Sequence, residues 1–446
     1  MKWNLISEKI PQNLSELKEL LLETREIKNF DSFFNLKNPF DFSLEELEID
    51  EQEVQKAIKL ILETQGNKKN ILIFGDYDAD GISATAIIWQ ILHNLDCKVL
   101  PFIPHRERHG YGLSDKAIDE ILAGENRPDL IITVDNGIVA HAEVQRLTDE
   151  GIQVIITDHH QPEEELPNAD AVVATNKLCG ASVAWILMRE LFRANHEPKI
   201  MNQKSILEKQ LDLCGIATIA DQVRLKDANR SFAKFGIEVL RKTNRPGLLA
   251  LFKEAQINKK EIDTYHINYA IAPRINAMGR LEHGLDALRL LVVGSQEKAS
   301  QLAARLSEVN KKRQDVTQIA LESASSKFKN WQDESLIVVS SDDYHEGVIG
   351  LIAGKLVDEF YKPAIAISLG GGLAKGSARS ISGFNITQLL RQVKDDLLSV
   401  GGHPMAAGFS AKSESLELLS SKLRDLAKEQ LNQNLLERVL KVEAEI

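Results

Sequence analysis

The sequence predicts an α/β fold: two α/β domains, the first on a mostly parallel sheet and the second smaller, joined by a long helix. Three observations predict it. Short apolar runs alternate with helix-period segments between residues 71 and 174. Residues 296–329 then contain neither glycine nor proline, and a second, shorter strand and helix pattern follows.

Residues 1–53 are mostly helix-forming, with loops expected at 29–34 and 38–41, and read as a small N-terminal helical extension against the next domain. Residues 54–295 form the first domain. Its strands are expected at 71–74, 99–103, 130–134, 154–157 and 171–174, and its helices at 83–95, 114–122, 140–150 and 182–193. Strands alternating with helices form βαβ units and a parallel sheet. Right-handed crossovers gather the strand ends on one edge, where open α/β sheets bind ligands. Residues 296–330, with Leu302, Ala303, Leu306, Val309, Val316, Ile319 and Ala320 at helical spacing, are the connecting helix. The second domain, 331–430, has strands at 336–340 and 364–368 and a helix at 348–360. Glycine is dense at Gly370-Gly371-Gly372, Gly376, Gly383, Gly401-Gly402 and Gly408, and reads as tight turns or backbone approach to a ligand. A helix is expected at 414–433, and residues 439–446 open another strand.

A formal net charge of −11 argues against a general polyanion binder, but it does not exclude nucleic acid, because local basic patches and metals decide that. Cys97, Cys179 and Cys214 lack paired spacing, so neither a disulfide framework nor a cysteine zinc site is supported. The N-terminus has no apolar signal core, and no apolar run approaches the roughly 20 residues of a membrane span. The expected location is the cytoplasm.

Chemistry concentrates where apolar runs end. Asp76-Tyr77-Asp78-Ala79-Asp80-Gly81 follows the first strand, Asp135-Asn136-Gly137 the third and Asp158-His159-His160 the fourth, while Ala217-Thr218-Ile219-Ala220 delivers Asp221. An extended backbone through the triple aspartate would project its acids to one side. An acid at such a turn often only caps a helix, but capping needs one acid and leaves two unexplained. Crowded carboxylates take up protons unless a positive charge sits among them. Oxygen and imidazole donors without thiolate suit two Mn²⁺ or Mg²⁺ ions, and a pair of such ions suits phosphodiester or pyrophosphate hydrolysis.

This ordered set resembles the DHH phosphoesterase superfamily. Pro104-His-Arg-Glu-Arg-His-Gly-Tyr-Gly-Leu-Ser114, Ala272-Pro-Arg-Ile-Asn-Ala-Met-Gly-Arg280, His345-Glu-Gly-Val-Ile-Gly350 and Gly401-Gly-His-Pro-Met-Ala-Ala-Gly408 narrow the resemblance to the RecJ family of single-strand-specific 5′→3′ exonucleases, over about residues 40–412. The last motif resembles the family's DHHA1 domain. The resemblance implies that Asp76, Asp78, Asp80, Asp135, His159 and Asp221 surround two Mn²⁺ or Mg²⁺ ions that activate water, and that His160 contacts the scissile phosphate. It also implies that Arg106, Arg280, Ser377 and Arg379 hold the terminal phosphate or nearby backbone, with His403 near the cleaved bond. The active site is then expected in the cleft between the two domains. Single-stranded DNA with a 5′ end is the implied substrate, in repair and recombination, with a helicase and single-strand-binding protein as implied partners. Family members generally continue into an OB-fold, and 431–446 is expected to hold only its beginning. Two other readings compete: a phosphodiesterase for short oligonucleotides or cyclic dinucleotides, and a non-catalytic replication scaffold. Chain length and the long helix favour the exonuclease, and the intact acids disfavour the scaffold.

Overall fold

The computed structural model describes residues 2–194, 203–327 and 334–445. Residues 328–330 of the expected connecting helix and 331–333 of the expected second domain lie outside the described residues. The strands, in chain order, are β1 (Lys2–Leu5), β2 (Asn70–Gly75), β3 (Lys98–Phe102), β4 (Leu130–Val134), β5 (Gln153–Asp158), β6 (Ala171–Ala174), β7 (Ile337–Ser341), β8 (Ala364–Gly370), β9 (Leu373–Arg379), β10 (Ser399–His403), β11 (Ala406–Lys412) and β12 (Val439–Val442). Contacts divide the chain into two units, Asn29–Asn310 and Met1–Lys28 with Lys311–Ile446.

In the unit Asn29–Asn310 the sheet order is β3-β2-β4-β5-β6, and every pairing is parallel. Parallel sheets covered on both faces need strands that are apolar throughout. Leu130–Val134 is buried at every position, and Gln153–Asp158 at every position after the first. The helix Ala79–Asn94 follows β2 and packs against the helices Gly180–Ala194 and Gln203–Ala220. That layer contains Trp185, Ile87, Ile88 and Ile91, none of them accessible to solvent. The strand ends carrying Asp76, Asp135 and His159 therefore share one edge of a rigid platform.

Between residues 203 and 292 the unit is helical, and one pair of these helices meets at glycine. Gln203–Ala220 and Asp227–Leu240 cross at Gly215 and Gly236, where a Cβ on Gly236 would lie 2.5 Å from the Gly215 Cα and 2.6 Å from the Leu211 carbonyl oxygen.

The second sheet has the order β10-β11-β9-β8-β7, parallel between β7 and β8 and antiparallel elsewhere. Gly371 and Gly372 fulfil the turn expectation, joining β8 to β9 with φ of 58° and 79° in a two-residue hairpin whose twist favours left-handed residues. Gly376, Gly401, Gly402 and Gly408 do not mark turns but lie inside strands. Gly376 faces the Phe409 ring, which a Cβ would meet at 2.2 Å. Its role is to admit an aromatic side chain rather than to bend the backbone.

The N-terminal segment departs from expectation in three places, the first being that its residues up to Lys28 group with Lys311–Ile446 and not with the domain that follows them. Residues 2–5 form a strand rather than helix, pairing in parallel with β12 in the register Lys2↔Val439 to Leu5↔Val442. The strand expected at the C-terminal end is present and finds this partner, beside an Arg25–Glu443 ion pair of 2.8 Å. The expected loops at 29–34 and 38–41 contain a short helix, Phe30–Phe34, and a 3₁₀ turn, Pro39–Asp41. The Asn29 and Asn38 side chains cap them by accepting backbone N–H groups, a local bond that compensates for low helix propensity. The helix Gln296–Lys327 is continuous, and its residues up to Asn310 belong to the first unit. Ala303, Leu306, Val309 and Ala320 are buried along it, while Ile319 is exposed.

The glycine crossing yields a stability test. Gly236→Ala forces a methyl group into backbone and is expected to cost about 1–3 kcal/mol, read as a lowered melting temperature. Gly66→Ala, with nothing within 4 Å of its Cβ, is expected to cause no loss.

Candidate metal centre

The triple aspartate is not extended. After Asp76, on the loop leaving β2, the chain turns directly into helix. Asp78 is the N-cap of Ala79–Asn94, its Oδ1 accepting the N–H groups of Asp80 (2.9 Å) and Gly81 (3.1 Å). The helix begins this early because Asp78 satisfies its first free donors. Gly81 allows the tight turn, since a Cβ there would lie 2.7 Å from the Asp76 backbone. Asp80 sits in the first helical turn, almost wholly buried, and its two oxygens accept N–H from Gly180 and Ala181, both at 2.7 Å, at the start of Gly180–Ala194. Two helix N-termini, the positive ends of their dipoles, thus adjoin the acids.

Asp135 follows β4 with φ of 61°, a left-handed conformation uncommon for a residue with a Cβ. Its N–H bonds to the Thr157 carbonyl, and its carboxylate approaches Gly180, where a Cβ would lie 2.7 Å from Oδ1. His159 follows β5 with Nε2 3.0 Å from Asp135 Oδ1 and 3.7 Å from both Asp80 Oδ2 and Asp221 Oδ2. Asp221 stands just past the C-terminal end of the helix Gln203–Ala220.

Asp158, which the sequence motif contains without assigning it a role, is the organiser of the histidine pair. Its Oδ2 accepts the Ile138 N–H at 3.0 Å, and its Oδ1 accepts the His159 and His160 N–H groups and meets His160 Nδ1 at 2.7 Å. Asn276 is a second residue to which the sequence assigns no role. Its Oδ1 accepts the Ala79 N–H at 2.6 Å and so fixes the acidic loop from a helix nearly 200 residues away, Ala272–Leu281. Nothing in local sequence announces that bond.

Of the basic residues, Arg106 lies with its guanidinium 4.2 Å from the centre of the Tyr77 ring and its Nε on the Gly279 carbonyl. Arg280 is close enough for its charge to act on the Tyr77 phenol. Ser377 and Arg379 belong to the other unit, on β9, where Arg379 Nη1 donates to Ser377 Oγ at 3.0 Å and to the Ala378 carbonyl at 2.8 Å. Gly350, at the start of the helix Ile349–Phe360, adjoins both: its Cβ would lie 2.9 Å from Arg379 Nη2 and 3.1 Å from Ser377 Oγ. His403 ends β10 with its side chain exposed and its carbonyl accepting the Thr387 hydroxyl.

The electrostatics are those of a centre short of positive charge. Burial and then the Asp78 charge push Asp76 up to about 8, and burial followed by Asp80 and Asp78 does the same for Asp221. Burial and neighbouring acids also raise Asp80 and Asp135, although the charge of His159 and two backbone N–H bonds oppose the rise at Asp80. Burial lowers His159. Burial opposes the charge on His160, but the hydrogen bond and charge of Asp158 outweigh it and lift His160 to about 9.

Donor atoms of Asp76, Asp78 and Asp135, of Asp80, His159 and Asp221, and of Asp135, His159 and His160 gather within 4.8 Å in each group. Asp135 and His159 are each shared by two groups, an arrangement suited to adjacent ions. Asp76 Oδ1, Asp135 Oδ1 and His159 Nε2 are buried without a hydrogen-bond partner, because the 3.0 Å approach of the last two lies outside hydrogen-bonding geometry. Buried orphan donors and acceptors are costly, and cations would satisfy them. The oxygen and imidazole set fits Mn²⁺ or Mg²⁺.

Residues 70–218 match the model of the DHH family, N-terminal domain, and residues 333–429 that of the DHHA1 domain. The chain is 38% identical over 386 residues to the single-stranded-DNA-specific exonuclease RecJ of Bacillus subtilis, across 84% of this chain and 48% of that protein. To RecJ of Escherichia coli it is 32% identical, across 86% of this chain and 70% of that protein. The chain belongs to the RecJ family. A crystal structure of RecJ in complex with Mn²⁺ from Thermus thermophilus superposes with a TM-score of 0.81 at 27% identity, covering 99% of this chain and 64% of that one. The chain spans about half the length of the B. subtilis relative.

The raised acids fix the direction of a pH effect. A folded carboxyl held near 8 keeps its proton while the unfolded chain loses it above about 3.8, so stability falls as pH rises between those values. His160 acts in the same direction, its contribution being lost as pH rises through about 9, whereas His159 opposes only below its ordinary 6.5. Metal-free protein is therefore expected to melt at lower temperature at pH 8 than at pH 6. Mn²⁺ binds the deprotonated acids and is expected to raise the melting temperature more at pH 8 than at pH 6. An equal or smaller gain at pH 8 would contradict this.

Proposed function

We propose that the chain is a divalent-metal-dependent 5′→3′ exonuclease of single-stranded DNA, releasing 5′-mononucleotides in the repair and recombination of cytoplasmic DNA. The observation that carries this reading is the convergence of Asp76, Asp78, Asp80, Asp135, His159 and Asp221, with three buried donor atoms unpartnered, beside a histidine held cationic by Asp158. Support also comes from membership of the RecJ family. No helix among the described residues is long and apolar enough to cross a membrane, and all three cysteines are free and buried, which fits the cytoplasm.

In this reading the six residues hold two Mn²⁺ or Mg²⁺ ions, which when bound activate water and neutralise charge on the phosphate. Asp78 Oδ1 is committed to the helix cap, so Oδ2 is the oxygen that would serve a metal. His160 has Nδ1 committed to Asp158, which leaves Nε2 to donate to a non-bridging phosphate oxygen and stabilise its developing charge. Arg106 has Nε committed to Gly279, so its terminal amino groups serve phosphate. Arg280 supplies a further donor to the 5′ phosphate or adjoining backbone, and in the other unit Ser377, Arg379 and His403 offer donors of the same kind to the strand, Arg379 and Ser377 as a pair already aligned by their own hydrogen bond. A helicase and a single-strand-binding protein would supply the strand.

With Mn²⁺, purified protein is expected to release mononucleotides from a 5′-phosphorylated single strand and to leave blunt duplex intact. Release from duplex at the same rate, or from dinucleotides only, would contradict the reading. Asp78→Asn keeps the cap oxygen but removes a charge, and is expected to lower kcat at least about a thousandfold without altering the circular dichroism spectrum. Arg379→Ala is expected to raise KM about tenfold for 5′-phosphorylated strands and less for 5′-hydroxyl strands.

A further inference from the structure

Two tyrosines stand exposed on the helical segment that braces the acidic loop. Tyr265 and Tyr269 are 65% and 69% accessible, with ring centres 4.8 Å apart and planes tilted by 35°. Their element runs without a break from Thr264–His266 through a π-helical stretch, Ile267–Ile271, into Ala272–Leu281. Ile267, Ile271, Ile275 and Met278 are buried and pin one face of it into the core. Asp263 caps its start by accepting the His266 N–H at 3.1 Å and is occupied by the His266 ring.

The other end of this element builds the metal centre. Asn276 holds the Ala79 N–H, and Gly279 lies so close to Tyr77 that a Cβ would meet its carbonyl oxygen at 2.3 Å. Tyr269 precedes Asn276 by seven residues, about two turns, so both rings lie roughly 10–20 Å from the acidic loop at the helical rise. Two solvated aromatic rings contribute little to the fold, and burial cannot account for them.

We propose that Tyr265 and Tyr269 form a stacking platform for bases of the single strand a few nucleotides 3′ of the bond being cleaved. Stacking accepts every base and excludes paired ones, and it suits a strand drawn past a fixed cleavage point. Duplex cannot use the platform without unstacking. The position rests on the proposed exonuclease reading, because the metal centre sets where the strand must pass.

The test separates the platform from that reading. Binding is measured by fluorescence anisotropy of labelled oligothymidine of about 20 nucleotides, in the Tyr265→Ala/Tyr269→Ala double variant against unaltered protein, with 2-aminopurine scanned along the strand. The platform predicts about tenfold weaker binding in the variant. It also predicts quenching of 2-aminopurine confined to a few consecutive positions and abolished by the double substitution. Tyr265→Phe/Tyr269→Phe is expected to restore both, since the ring and not the hydroxyl does the stacking. In hydrolysis with Mn²⁺, the ratio of kcat/KM for the long strand to that for a trinucleotide is expected to fall by about the same factor. Unchanged affinity and unchanged quenching in the double variant would overturn the platform even if the enzyme is active. Absence of hydrolysis by unaltered protein would overturn the exonuclease reading and leave the binding measurement to decide the platform.

Discussion

Repulsion among five aspartates drawn into one small volume is the constraint to which this fold answers. Asp76, Asp80 and Asp135 are buried, Asp78 and Asp221 lie beside them, and His159 is the imidazole they share. Without compensation such a cluster keeps protons that free carboxyls lose, and Asp76 and Asp221, held near 8 by burial first and by neighbouring aspartates second, express that. Compensation from the protein is partial. Backbone N–H groups at the start of Gly180–Ala194 serve Asp80, and the first turn of Ala79–Asn94 serves Asp78. The remaining deficit is what divalent cations correct.

The geometry depends on three close approaches that only glycine permits. Gly75 faces the Thr85 hydroxyl, Gly81 the Asp76 backbone and Gly180 the Asp135 carboxylate, each at less than 3 Å from a built Cβ. The parallel sheet brings its strand ends to one edge, but these approaches bring the acids within reach of common ions. Asp158 then divides the histidine labour. By fixing His160 through Nδ1 it separates an imidazole held cationic from His159, whose charge burial disfavours.

Much of this is legible in the sequence because apolar runs of the parallel sheet stand out. The strand Leu130–Val134 is readable to the residue, and the acids Asp76, Asp78, Asp80 and Asp135 stand with His159 where such runs end, while Asp221 follows an apolar stretch that is helical. The illegible parts have physical causes. In β9 the run Ala374-Lys375-Gly376-Ser377-Ala378 has low strand propensity, and only its neighbours β8 and β11 make it a strand. Pairing of β1 with β12 joins the two ends of the chain, which no local pattern encodes. Alternation of the aspartates suggests an extended chain, yet the capping oxygen of Asp78 starts the helix sooner. The Asn276 bond and the Asp158 network are products of tertiary placement alone.

The central claim is that paired cations complete this cluster. Anomalous diffraction at the manganese edge from crystals grown with Mn²⁺ measures it most directly. The account predicts two peaks roughly 3.5–4 Å apart, bounded by Asp76, Asp78, Asp80, Asp135, His159 and Asp221, with His160 adjacent and still bonded to Asp158. A single peak, peaks elsewhere, or carboxylates left without a metal at saturating Mn²⁺ would contradict it.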